Sequence, residues 1–209
     1  MTLTLYQLPP SPNNIKVRVA LGIKGIKADY VDLDLGAERS QIVAVSGQPL
    51  TPTIKHGDTV LFGSGAILRY IDANFRAQGP RLFSETQEEM REIEAWESWA
   101  NGEFAGAFLH VARQFFSGQD DPAATKLAND LLRELAPKIE AALESSAFLM
   151  GEAPNAADAT LYPWASYTAI DPQVPEGSPA GFFASRVQLP AEFSKTRAWI
   201  ARMAAFDKR

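Results

Sequence analysis

Three short stretches of this chain carry residues able to do chemistry, and each sits where a structural element begins. Ser11 precedes Pro12 at the head of PNNIKVRVALGIK, a run in which Ile15, Val19 and Ile23 recur four residues apart. Serine followed by proline is a strong helix start, because serine is a favoured N-cap and proline a favoured first helical residue. The same geometry could serve a reacting atom. A thiolate just above a helix N-terminus is stabilised by the positive end of the dipole and by free N–H donors, and a serine hydroxyl can donate to it. Thr51-Pro52 heads the second stretch, where proline is tolerated as the first residue of a strand. It is either an ordinary strand start or a cis bond that turns the preceding N–H and C=O toward an extended peptide ligand. Ser64, after Gly63, caps the helix GAILRYIDANF; that helix N-terminus is a ready carboxylate site or simply a capped end.

The rest of the composition narrows the chemistry. The chain has no cysteine, which removes disulfides, CxxC redox chemistry and cysteine nucleophiles together. Its two histidines, His56 and His110, are far apart and show no HxxxH or HExxH spacing, so no metal is expected; His110 is a candidate for lining a pocket. Acidic residues outnumber basic ones 25 to 20 without any Lys/Arg cluster, which argues against a nucleic-acid or anionic membrane partner. MTLTLYQL lacks the features of a secretory signal and no apolar run approaches the roughly 18 residues that span a bilayer, so a cytoplasmic location is expected.

Stepping along the chain, the period of the apolar residues shows which elements position these groups. TLTLY alternates, Pro12 to Lys24 is helical and closed by Gly25, and ADYVDLDL alternates again: a strand, helix, strand unit whose strands should lie parallel. ERSQIVAVSGQ is partly helical. TPTIK and TVLF flank the turn tetrad His56-Gly57-Asp58-Thr59, which reads as a hairpin. Ile67, Leu68 and Ile71 share one face of the helix after Ser64. Beyond residue 76 every period is helical. Residues 77–86 read as a linker, with Ser84 and Gln87 as a capping box for a long helix through Trp96 and Trp99. The glutamates at 85, 88, 89, 92, 94 and 97 read as a solvated face, and Phe115 and Phe116, with the two tryptophans, as core. Pro122 starts a helix that runs to about Ser146. Asn155 and Asp158 form a capping box for the next one, and a loop over Asp171–Gly181 precedes a last helix containing AWIARMAAF. The fold class expected is an α/β domain (1–76) followed by an all-α domain (87–209).

In this order, SPNNIKVRVAL, PLTPTI, the hairpin, GSGAILRYI and NAADATLYP resemble the cytosolic glutathione S-transferase family, in its serine-type, bacterial-like form, over essentially the whole chain. The resemblance implies a thioredoxin-like first domain, a helical-bundle second domain and a homodimer. It implies glutathione as co-substrate, conjugated through its thiolate to a hydrophobic electrophile, with Ser11 as the catalytic hydroxyl. Pro52 would be cis and the Thr51 backbone would pair with the cysteinyl part of glutathione. Ser64 would hold the γ-glutamyl carboxylate, and Asn155 with Asp158 would be the family's capping box. Two positions depart from the pattern. Gly63 stands where the family usually has an acid or glutamine, and SGQPLT replaces the usual run before the proline. Asn13 or Asn14 is an alternative donor to the thiol. Retention of the fold as a non-catalytic binding or assembly protein, or a glutathione-dependent peroxidase or isomerase activity, are the alternative functions.

Overall fold

The computed structural model describes residues 2–34, 36, 38–170, 174 and 177–208. The end of the expected second strand at Leu35 and the start of the expected loop at Asp171 lie outside the described residues. The chain divides into two compact units, Met1–Met90 with Ala205–Arg209, and Arg91–Ala204.

The first unit is built on a four-stranded sheet in the order β2-β1-β3-β4, from β1 (Leu3–Gln7), β2 (Ala28–Asp32), β3 (Thr53–His56) and β4 (Thr59–Phe62). β1 runs parallel to β2, with Leu5 opposite Tyr30, and antiparallel to β3, with Leu5 opposite Ile54; β3 and β4 form the expected hairpin. Leu3, Leu5 and Ile54 are buried, as the alternation of β1 requires. α1 (Pro12–Lys24) ends at Gly25 in the left-handed region, which closes the last turn with N–H bonds to Gly22 and Leu21. α1 packs against α3 (Ser64–Asn74), whose Ile67, Leu68 and Ile71 are fully buried, while α2 (Ser40–Ser46) lies by β4. This is the thioredoxin-like layout. Lys24 and Asp72 form a buried ion pair at 3.1 Å, and Asp72 also accepts the N–H groups of Leu82 and Phe83, so the expected linker is tied to α3.

The second unit is helical. α4 (Gln87–Trp99) continues through a π-helical turn (Ala100–Phe104) into α5 (Ala105–Ser117), followed by α6 (Pro122–Ala142), α7 (Ala156–Ser166), α8 (Pro179–Ala184) and α9 (Ser194–Ala204). Asn155 and Asp158 form the expected capping box. Asp158 is fully buried and accepts from Asn155 N at 3.1 Å, Leu149 N at 3.0 Å and Trp199 Nε1 at 2.8 Å, so one carboxylate ties the head of α7 to α9. Burial pushes that carboxyl up, with the N–H donors pulling against it.

Four local expectations are corrected. The cap of α4 is Thr86, not Ser84: Thr86 Oγ1 faces Glu89 N, while the Ser84 hydroxyl binds Thr86 N and the Glu89 carboxylate. Glu97 is buried, unlike the other glutamates of that series. Phe116 is 73% exposed, since successive residues on a helix point about 100° apart and Phe115 takes the inward position. The stretch before the last helix contains α8, which starts on Ser178-Pro179, the same signal as Ser11-Pro12.

Candidate functional site

The residues singled out at the starts of α1, β3 and α3 all lie in the first unit, and the sheet brings them together. Ser11 occupies the N-cap position of α1 with extended backbone angles, and its carbonyl accepts from Asn14 N at 2.9 Å and Ile15 N at 3.0 Å. Its hydroxyl makes no hydrogen bond to the helix it heads. α8 supplies an internal control. There Ser178, also followed by proline, accepts Gly181 N at 3.0 Å with its side chain. A Ser-Pro start is therefore able to cap in this chain, and at Ser11 the half-buried hydroxyl is left for something else.

The Thr51–Pro52 peptide bond is cis. Thr51 precedes β3, and among the described residues its main-chain N–H and C=O take no partner. An unpaired donor and acceptor beside a sheet is what an extended peptide needs to add a short ladder. Pro52 O accepts from Gly63 N at 3.3 Å, linking this bend to the start of α3.

At α3 the expectation for Ser64 is corrected. The N-cap is Gly63, at φ 86° and ψ 118°, and Ser64 is the first helical residue. Its hydroxyl donates to Asn13 Oδ1 at 3.1 Å instead of capping. A non-glycine residue at φ 86° would be strained, so glycine suits this backbone even though it offers no side chain to a ligand. The first N–H groups of α3 have no helical acceptor and point their dipole at the same site.

Asn14 and Asn13 have different fates. Asn14 is fully buried and donates to Thr51 Oγ1 at 3.1 Å, which takes it out of reach of a ligand and makes it a strut between α1 and the cis bend. Asn13 is exposed and engaged with Ser64. Ser11, Asn13, Asn14, Thr51, Pro52, Gly63 and Ser64 are thus joined in one belt of short contacts, and none of them carries an ionisable side chain. An anionic ligand here would be met by dipoles and neutral donors. His110 lies in the second unit, half-buried on α5, where its carbonyl accepts from Gln114.

Sequence reasoning missed the polar support beneath the belt. Arg18, on the inner side of α1, holds Gln7 Oε1 at 2.8 Å and the Pro9 carbonyl at 3.0 Å. An arginine one turn after Asn14 and flanked by Ile15 and Leu21 on the same helix face was the available signal.

Family models for the glutathione S-transferase N-terminal domain and C-terminal domain match residues 5–80 and 122–202. The chain belongs to the glutathione S-transferase family. Glutathione S-transferase 3 of Zea mays is 28% identical over 214 residues, covering 99% of this chain and 92% of that one. Glutathione S-transferase F10 of Arabidopsis thaliana is 29% identical over 175 residues, 80% and 81% of the two chains. The solved glutathione S-transferase from Rhodospirillum rubrum F11 superposes with a TM-score of 0.77 over 96% of this chain and 87% of that one, at 18% identity, a likeness of fold. The belt lies within the N-terminal family domain, and the Asn155–Asp158 box within the C-terminal one.

Proposed function

We propose that this glutathione S-transferase family member is an active, serine-type transferase that forms the glutathione thiolate at Ser11. The observation that carries this reading is the Ser11 hydroxyl, which heads α1 without capping it. In this reading Ser11 Oγ–H donates to the sulfur, and the α1 N-terminus adds its dipole, so the thiol releases its proton to solvent below the roughly 8.5 of a free thiol. The Thr51 N–H and C=O pair with the cysteinyl unit, and the N-terminus of α3, through main-chain N–H groups that include that of Ser64, takes the γ-glutamyl carboxylate. The thiolate then attacks an electrophilic carbon of a hydrophobic substrate. A sulfur–carbon bond forms while the displaced group leaves with its bonding pair, and no covalent enzyme intermediate is needed.

Gly63 favours a second reading, in which glutathione is bound weakly or not at all and the protein serves as a binding module. A polar side chain absent there costs on the order of 1 kcal/mol of ligand binding. The backbone weighs against this reading, since φ 86° is a conformation that glycine adopts without strain. For the expected homodimer, the first unit offers exposed Val43, Leu50 and Phe62, at 43%, 67% and 49%; light scattering of the purified protein tests it. The deciding experiment for the activity is an ultraviolet titration of the protein with glutathione across pH. A saturable thiolate well below the free thiol's pKa, with turnover of an aromatic halide, supports transfer. Absence of thiolate at every glutathione concentration refutes it.

A further inference from the structure

The residues that follow α9 return to the first unit and lie on α1. Arg18 is almost fully buried, with a side chain 4% exposed, and its guanidinium reaches in two directions. Nε and Nη2 donate to the two Asp207 carboxylate oxygens at 2.6 Å and 3.0 Å, and Nη1 donates to the Pro9 carbonyl at 3.0 Å and to Gln7 Oε1 at 2.8 Å. Gln7, itself fully buried, passes the chain on to Asp32 at 2.7 Å. Pro9 stands two residues before Ser11, inside the turn closed by Ser11 N on Leu8 O at 2.9 Å. One turn along α1, Gly22 lets the tail come close: a Cβ there would fall 1.9 Å from the Phe206 carbonyl oxygen. Tyr30 OH donates to Lys208 O at 3.1 Å, a third tie.

A bidentate arginine–carboxylate pair fixes the plane of the guanidinium, and that plane fixes where Nη1 can donate. With Asp207 neutralised, the buried cation loses its counter-charge and turns toward water, releasing the Pro9 carbonyl. We infer that Asp207 and Arg18 are positioning residues for Ser11: the C-terminal tail, through the guanidinium, sets the turn that aims the Ser11 hydroxyl. This rests on the reading of Ser11 as the thiol's donor. It goes beyond that reading in giving Asp207, 189 positions from Arg18, a part in placing the Ser11 hydroxyl.

Two substitutions perturb the tail from opposite sides. Asp207→Asn keeps the shape and removes the charge; Gly22→Ala leaves Arg18 and Asp207 intact, suits a helix interior, and pushes Phe206 away. Each is compared with the wild type by backbone amide exchange over residues 8–14, by the thiolate titration with glutathione, and by kcat/KM against pH. Expected are faster exchange at the Ser11 amide, a thiolate pKa raised toward that of free thiol, and kcat/KM below that pKa reduced about tenfold or more, with glutathione KM little changed. In a Ser11→Ala background neither substitution should move the thiolate pKa further. Unchanged exchange, or a lowered melting temperature with an unmoved thiolate pKa, overturns the inference and leaves the tail a structural strap. No thiolate in the wild type refutes the Ser11 reading itself, and the inference with it.

Discussion

Ser11→Ala and Ser178→Ala are the same chemical change at the same kind of helix start, yet the structure assigns them opposite effects. Ser178 Oγ accepts Gly181 N at 3.0 Å, so its removal leaves a helix N-terminal donor unsatisfied and should cost about 1 kcal/mol of stability. Ser11 Oγ makes no such bond, so its removal should stay within about 0.5 kcal/mol. Function reverses the order. A hydrogen bond from a neutral hydroxyl to an anion contributes about 1.5–3 kcal/mol, which at 1.36 kcal/mol per unit raises the thiolate pKa by about one to two units when lost. On the proposed binding mode, at a pH below both values the thiolate population, and with it turnover, should fall about tenfold to a hundredfold, while glutathione affinity, which that mode assigns to Thr51 and α3, should change far less. Urea unfolding of the two variants gives the stabilities, and the glutathione titration with steady-state kinetics gives the rest. A Ser11→Ala protein destabilised as much as Ser178→Ala, with an unmoved thiolate pKa, would show that Ser11 is a cap after all.

Three further outcomes follow from particular contacts. Asp158→Ala strands the buried donors of Leu149, Asn155 and Trp199, and should cost about 3 kcal/mol or more, with a change in tryptophan fluorescence during unfolding; a loss under about 1 kcal/mol would contradict the assigned role of that carboxylate. Glu140 on α6 accepts Lys195 N at 3.0 Å, Thr196 N at 2.9 Å and Thr196 Oγ1 at 2.7 Å at the head of α9. Burial opposes its charged form, but these hydrogen bonds outweigh it and hold the carboxyl below its usual range. A depressed folded-state pKa means stability that is present above the unfolded value and lost as pH falls through the folded one, so Glu140→Gln should flatten part of the acid-side loss in a pH series of melting curves. Gly63→Ala meets open space around its Cβ but must hold φ 86°; it should cost about 1 kcal/mol or more from backbone strain alone, and an unchanged urea midpoint would count against that account.

What was legible in the sequence follows from how local its cause is. α1 is bounded by Ser11-Pro12 and Gly25, each acting through its own backbone preference, and the helix begins and ends where those residues put it. The β3–β4 hairpin turns at Gly57-Asp58 and the buried stripe of α3 is Ile67, Leu68 and Ile71, both set by short-range pattern. The caps were less legible, because several residues able to cap stand close together. At α4 both Ser84 and Thr86 qualify, and the choice falls on the one that reaches Glu89 N. At α3 serine has the better cap propensity, but the entry from β4 demands a positive φ, so glycine takes the position and Ser64 moves into the helix. The Arg18–Asp207 pair was illegible for a different reason. Nothing in a local window announces a partner 189 residues away, and only a buried guanidinium, which must find a counter-charge, makes the tail's course intelligible afterwards.

The site itself is built almost wholly from ends. A helix or strand satisfies its own backbone in the middle and leaves N–H and C=O groups over where it starts, so the first turns of α1 and α3 and the residue before β3 are where this first unit has hydrogen bonds to offer. Asn14 and the Gly63–Pro52 contact fix these ends to one another without spending the groups a ligand would use. Recognition by main chain is indifferent to which side chain stands at a given position, provided the backbone angle is right. On the proposed binding mode, glycine at 63 removes a side-chain contact and still leaves the main-chain frame in place, whereas a change that rotates the turn before Ser11 would disturb it.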